Sequence, residues 1–160
     1  MTPPTVPGDA RRSGDGRRAG GDPRHAGASL DGGRYLLAVY RSPGDDRVEN
    51  AALRERLGVA ASSVSEMVGR LADRGLLDHL AYGGVLLTDR GEEVAADLAW
   101  RQCVVADFFG GTLDAPVAEQ TAYRVGFVLP APGVERLAAL VDHPCEGGDP
   151  GVEGCLLAEA

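Results

Sequence analysis

Between Ala60 and Arg74 the sequence places Ser62, Ser63, Ser65, Glu66 and Arg70 on one side of a helical repeat and Val64, Met67, Val68 and Leu71 on the other. The polar set suits recognition of a nucleic-acid duplex. A serine hydroxyl meets a phosphate or either kind of base edge, Arg70 pairs with guanine or a phosphate, and Glu66 can accept from cytosine N4. For each residue alone, a helix cap or a solvated side chain is an equal reading, so the layout carries more weight than its members. A second set, His143, Cys145 and Cys155, with Asp142, Glu146 and Asp149 around it, offers two thiols and an imidazole. Such donors hold zinc, ferrous iron or copper(I), or the thiols form a reversible disulfide. The spacing Cys-x9-Cys is no standard zinc signature, and an unliganded loop needs only ordinary composition. There is no phosphate-binding glycine loop, nucleophile elbow or His-Glu-x-x-His run, and neither His25 nor His79 is placed as a base, so the chain does not read as an enzyme.

The elements around the first set follow from periodicity. Tyr35, Leu36, Val39 and Tyr40 share one face of a first helix that begins near Gly33 and ends at the Ser42-Pro-Gly-Asp-Asp46 breaker. A second helix covers Asn50–Leu57, Gly58 supplies a tight turn, and the helix that follows opens with serines able to cap it and ends at Gly75. Leu76–Tyr82 and Val85–Thr88 are strand-like runs around Gly83-Gly84, a two-residue link suited to a primed hairpin turn. Helix, turn, helix and hairpin in this order form a winged helix-turn-helix. In the hairpin Tyr82 can lie along a minor groove, and Arg90 beyond it can meet a phosphate, unless the hairpin merely covers the core. Arg54 and Arg56 are candidate backbone anchors, or solvated charges paired with Glu55 or Asp73.

Thr88 caps a long helix running through Trp100 to Phe108-Phe109, with Asp89, Glu92 and Glu93 near its start, and Gly110-Gly111 stops it. Further helices are expected from about Pro116 to Val128 and from Gly133 to Val141, with Pro130 and Pro132 breaking the chain between them. The fold class is therefore mainly α, a winged helix-turn-helix followed by an α-helical dimerisation region. Its expected divisions are a disordered Arg/Gly/Pro-rich tail over 1–30, the DNA-binding domain over 31–91, the helical region over 92–142 and a Cys-containing tail over 143–160.

Net charge is −8, and with no lysine every cationic side chain is an arginine. Residues 1–30 hold five Arg against Asp9, Asp15 and Asp22, a net of +2 that leaves −10 for the rest. A GC-rich genome or a salt-rich cytosol accounts for such a composition. Attraction to phosphate must then come from local arginines and helix N-termini rather than from a broadly positive surface. Three cysteines are too few for a secreted disulfide framework, and no apolar run approaches the roughly 20 residues that span a bilayer. A cytoplasmic, reduced protein without a membrane partner is expected.

The stretch Tyr35–Val141 resembles the diphtheria toxin repressor family of iron- and manganese-dependent transcriptional regulators, in its short form without an SH3-like domain. The likeness rests on Ala60-Ala-Ser-Ser-Val-Ser-Glu-Met-Val68, Leu71–Leu77, Gly84-Val-Leu-Leu-Thr-Asp-Arg-Gly91, Gly133-Val-Glu-Arg-Leu137 and Leu140-Val-Asp-His-Pro144. It implies a homodimer that represses from a palindromic double-stranded DNA operator, with recognition helices in successive major grooves. It also implies a transition metal ion (manganese, iron or zinc) tying the first helix to the later ones. The corresponding positions here are Arg34, Leu37, Gln102, Tyr123, Gly126 and Phe127, none of them a good donor for manganese or iron. The inherited site is expected to be lost, with His143, Cys145 and Cys155 as the replacement set. Two other readings stand beside this one: a redox- or ligand-responsive winged-helix regulator of the multiple-antibiotic-resistance type, and a winged-helix protein-interaction module.

Overall fold

Ser29 starts the helical array in the structure, a computed structural model that describes residues 27–44 and 47–142. Its hydroxyl accepts from the Gly32 N–H at 3.0 Å, which satisfies one of the orphan donors of α1 (Leu30–Tyr40). This cap moves the helix start three residues ahead of Gly33, a signal outweighed in the sequence by the glycines around it. After α2 (Asn50–Leu57), Gly58 takes the left-handed conformation at φ 65° and its N–H closes the turn on Arg54 O. The third helix, α3 (Ala61–Asp73), has Ala60 at its N-cap and no side-chain cap. Ser62 and Ser63, expected to be available as caps, instead lie inside its first turn. At the other end Leu76 N–H reaches back to Leu71 O at 3.0 Å across Gly75, whose φ is 71°.

The wing is a two-stranded antiparallel hairpin, β1 (Leu77–His79) with β2 (Val85–Leu87), in the register Leu77 to Leu87 and His79 to Val85. Val48 adds an isolated bridge to Val85, so the segment before α2 lies along the hairpin. The connection spans residues 80–84 and not the expected Gly83-Gly84 pair alone: Leu80 N–H bonds Gly84 O at 3.1 Å, and Gly83 N–H bonds Leu80 O at 3.2 Å. Tyr82 leaves the ladder at this bend and stands 91% exposed.

Thr88 caps α4 (Asp89–Asp107) as expected, accepting from Gly91 N–H at 3.0 Å. Gly110-Gly111 do not simply stop this helix, because the chain continues as a π-helical turn over Phe108–Thr112. Next come α5 (Glu119–Val128), which begins after Pro116, and α6 (Ala131–Val141). Pro132 opens α6 from within its first turn rather than breaking the chain, since a proline there gives up an N–H that has no helical partner anyway. Two apolar cores result. The first gathers α1, the inward face of α3, the wing and the leading half of α4 around Leu36, Leu53, Val68, Leu76 and Leu98. The second joins Trp100, Cys103 and Val104 of α4 to Val134 of α6. Most of α4 is buried, and it links the winged helix to the distal helices. Among the described residues no helix is long and apolar enough to cross a membrane.

Candidate nucleic-acid interface and helical junction

Val64, Val68 and Leu71 are buried, which turns the opposite face of α3 outward: Ser62, Ser63, Ser65, Glu66 and Arg70 are all exposed. With no side-chain cap at Ala60, the first-turn N–H groups of α3 are left for water or an incoming acceptor. Arg70 forms an ion pair with Glu66 one turn earlier, with both side chains more than half exposed. Such a pair contributes only about 0.3–0.5 kcal/mol, so either partner is readily given up to a stronger one.

The position of α3 is fixed at its C-terminal end by backbone packing. Thr88 Oγ1 donates to Gly75 O at 2.6 Å, Thr88 N–H donates to Leu76 O at 3.2 Å, and a Cβ at Gly91 would overlap that same Leu76 oxygen. The start of α4 and the end of α3 therefore touch through main chain, which explains why the run Thr88-Asp-Arg-Gly91 has this form. Arg90 is exposed, but it donates to Arg74 O at 3.4 Å and so braces this joint. Arg54 is exposed on α2. Arg56 is engaged otherwise than expected: it pairs with neither Glu55 nor Asp73, donating instead to Ala38 O at 2.8 Å and Ser42 Oγ at 3.1 Å, a tie from α2 to the end of α1. Arg47 was not singled out in the sequence; it is exposed, with its stem against wing residue Gly84.

The six positions at which the family resemblance places metal ligands come together at the junction of α1, α4 and α5. Arg34, Leu37, Gln102 and Tyr123 line one cavity of about 400 Å³, which α2 completes with Arg56 and Leu57. Gly126 lies against the α4 backbone, where a Cβ would be 3.0 Å from both the carbonyl carbon and oxygen of Arg101. The Phe127 ring packs on Tyr123 at 6.0 Å between centroids. Arg41, also missed in the sequence although its spacing of seven from Arg34 puts both on one helical face, donates to Gln102 Oε1 at 2.7 Å and Glu119 Oε1 at 2.8 Å. Gln102 in turn donates to Glu119 O at 3.0 Å. Tyr123 Oη donates to Leu30 O at 2.6 Å, fastening α5 to the first turn of α1, and burial pushes its phenol well above the usual range despite the nearby charge of Arg34. Behind this junction Arg101, with no exposed surface, bonds Asp97 at 2.8 Å, Gly126 O at 3.1 Å and Leu129 O at 2.7 Å. His143, Cys145 and Cys155 lie outside the described residues, and among the described residues no group of three or more His, Cys, Asp or Glu is arranged to hold a metal.

An outward-facing second helix of a helix-turn-helix, flanked by a two-stranded wing, defines a winged-helix DNA-binding domain. Residues 33–85 match the iron dependent repressor N-terminal DNA binding domain family. The transcriptional regulator MntR of Escherichia coli O6:H1 is 37% identical over 70 residues, 44% of this chain and 44% of MntR. An uncharacterized HTH-type transcriptional regulator of Aeropyrum pernix is 30% identical over 74 residues, 44% of this chain and 41% of that protein. Among solved structures, a manganese-dependent transcriptional repressor in complex with manganese superposes with a TM-score of 0.63 at 28% identity, over 71% of this chain and 53% of that one. ScaR with bound Zn2+ gives 0.60 at 27%, over 71% and 54%. Over residues 33–85 the chain is therefore similar to the DNA-binding domain of iron-dependent repressors, and the relatives and neighbours named here are transcriptional regulators. It spans about half the length of the relatives it matches.

The metals bound by those neighbours find no matching donors here. The six positions supply a guanidinium, an alkyl chain, a carboxamide committed to Arg41 and Glu119, a phenol committed to Leu30, a bare backbone and a phenyl ring. Manganese and zinc require carboxylate, imidazole or thiolate. The residues of this junction do not fit a divalent cation.

Proposed function

We propose that this protein is a transcriptional repressor that binds a palindromic duplex operator as a homodimer, inserting the leading end of α3 into the major groove. The observation that carries this reading is the face of α3 itself: five exposed polar residues, backed by three buried apolar ones, on a helix whose start has no side-chain cap. Ser62, Ser63 and Ser65 would meet phosphate or base edges, Arg70 a guanine or phosphate on release from Glu66, and Arg54, Arg47 and the wing tip at Tyr82 the flanking backbone. Arg90 and Arg56 would act by holding the helices that carry these contacts. Dimerisation through the distal helices is supported by Leu113, Val128 and Leu140, which are 50%, 72% and 70% exposed and lie outside the winged helix. Control by a transition metal would use donors other than the six junction positions, with His143, Cys145 and Cys155 as the candidate set.

Fluorescence anisotropy on duplex DNA from the region upstream of the protein's own gene tests the reading. Arg70→Ala with Ser63→Ala should weaken binding at least tenfold, and unchanged binding by that double variant overturns recognition through α3. A protein-interaction module, the reading favoured by the −10 charge outside residues 1–30, requires that the unaltered chain bind no duplex at all.

A further inference from the structure

We propose that the junction of α1, α2, α4 and α5 is a binding site for a small oxyanion, a dicarboxylate or phosphate compound, held by the guanidinium groups of Arg34, Arg41 and Arg56. Three arginines and one carboxylate, Glu119, face a cavity of about 400 Å³, leaving two positive charges in excess within a chain whose net charge is −8. This volume suits a small organic acid or phosphate compound and is far larger than a bare ion needs.

The three guanidiniums are not equivalent, and their differences support the assignment. Arg41 is held in place: Gln102 and Glu119 each accept from one of its terminal nitrogens, which fixes the plane of the fork before any ligand arrives. Arg56 uses one terminal nitrogen, Nη1, on Ala38 O and Ser42 Oγ. Arg34 is half-buried on the same wall of α1 and makes no hydrogen bond or ion pair with any side chain among the described residues, although its charge is felt by the Tyr123 phenol. A partly desolvated cation with no side-chain partner among the described residues, beside one pre-oriented fork and across from a second, is an arrangement that an oxyanion with two or more acceptor oxygens completes. Gln120 adds a further polar group to the rim. The same charges repel a divalent cation, so the site has the opposite sign to the one implied by the family resemblance.

Occupancy would bridge α1 to α2, because Arg34 and Arg41 belong to the first helix and Arg56 to the second. As α2 packs directly on α3, the bridge would stiffen the helix-turn-helix. This consequence for DNA rests on the proposed function; binding of the anion does not.

The 160-residue protein, free of DNA, is titrated with sodium phosphate and separately with sodium succinate at constant ionic strength, and the thermal midpoint is followed. At least one of the two should raise the midpoint saturably, Arg34→Gln should weaken the apparent affinity at least tenfold, and manganese chloride should give no saturable shift. Arg136→Gln, an exposed charge on α6 away from the cavity, should leave the titration unchanged. The proposal is overturned if neither anion gives a saturable shift, if Arg34→Gln titrates like the unaltered protein, or if Arg136→Gln weakens binding as much as Arg34→Gln. Because no DNA is present, failure here is separate from failure of recognition through α3.

Discussion

The hydrogen bond from Tyr123 to Leu30 allows the tie between α5 and α1 to be measured by pH. The phenol is buried, donates at 2.6 Å and titrates well above its ordinary value of about 10, chiefly because burial penalises the phenolate. Below pH 10 the residue is protonated in both folded and unfolded chains, and Tyr123→Phe should cost the net value of one buried hydrogen bond, about 1–1.5 kcal/mol. Above pH 10 the unfolded chain releases this proton while the folded chain keeps it. The unfolded state then binds fewer protons, and stability falls as pH rises, by about 1.4 kcal/mol per unit for one group. At pH 11 the loss has reached about 1.4 kcal/mol, close to the hydrogen-bond term. Urea unfolding at fixed pH values from 7.5 to 11 should therefore show the unaltered protein more stable at neutral pH, with the two curves converging near pH 11. Tyr35, also raised by burial, gives a slope of the same sign, but it is present in both proteins and cancels in the difference. Curves that stay parallel across this range would refute the reasoning and mean that Tyr123 is not held away from water by α1.

Three further predictions concern the recognition helix and the joint that holds it. Gly91→Ala should destabilise by about 3 kcal/mol or more in urea unfolding, because the added methyl overlaps the Leu76 carbonyl and backbone cannot yield as a side chain does. Gly69→Ala, inside α3 where an added Cβ meets nothing within 4 Å, should instead stabilise by about 0.5–1 kcal/mol. Glu66→Gln frees Arg70 from its ion pair and removes one negative charge from the face proposed to meet phosphate, so affinity for duplex DNA in the anisotropy assay should rise severalfold and become more sensitive to salt.

The helices and wing were legible in the sequence because local rules decide them. Gly58 and Gly75 stand where positive φ is needed, Thr88 caps α4, and the inward triad of α3 has one period throughout. Boundaries shifted where a nonlocal contact or a competing local signal decided the matter. Ser29 captured α1 from within a glycine-rich stretch, and Pro132, an apparent breaker, became a helix opener because its missing N–H lies in the first turn. Side-chain partners were less legible. Arg56 reads from the sequence as a phosphate anchor or a charge paired with Glu55 or Asp73, yet its partners are Ala38 and Ser42, eighteen and fourteen residues away, which no spacing rule within α2 could indicate.

The junction shows how these helices hold together without a bound cation. Residues unable to bind a metal at positions that face one another could leave gaps and no force to hold α1 against α4 and α5. Here direct contacts span the same places. Tyr123 reaches Leu30, Arg41 clasps Gln102 and Glu119, and Gly126 lets α5 approach the main chain of Arg101 closely enough for that arginine to bond two carbonyls of the neighbouring segment. Each tie is a neutral or internally paired contact, so none of them needs a cation to form. Arg34 takes no part in this bracing, and a half-buried charge with no side-chain partner among the described residues is the group most readily explained by a ligand of opposite sign.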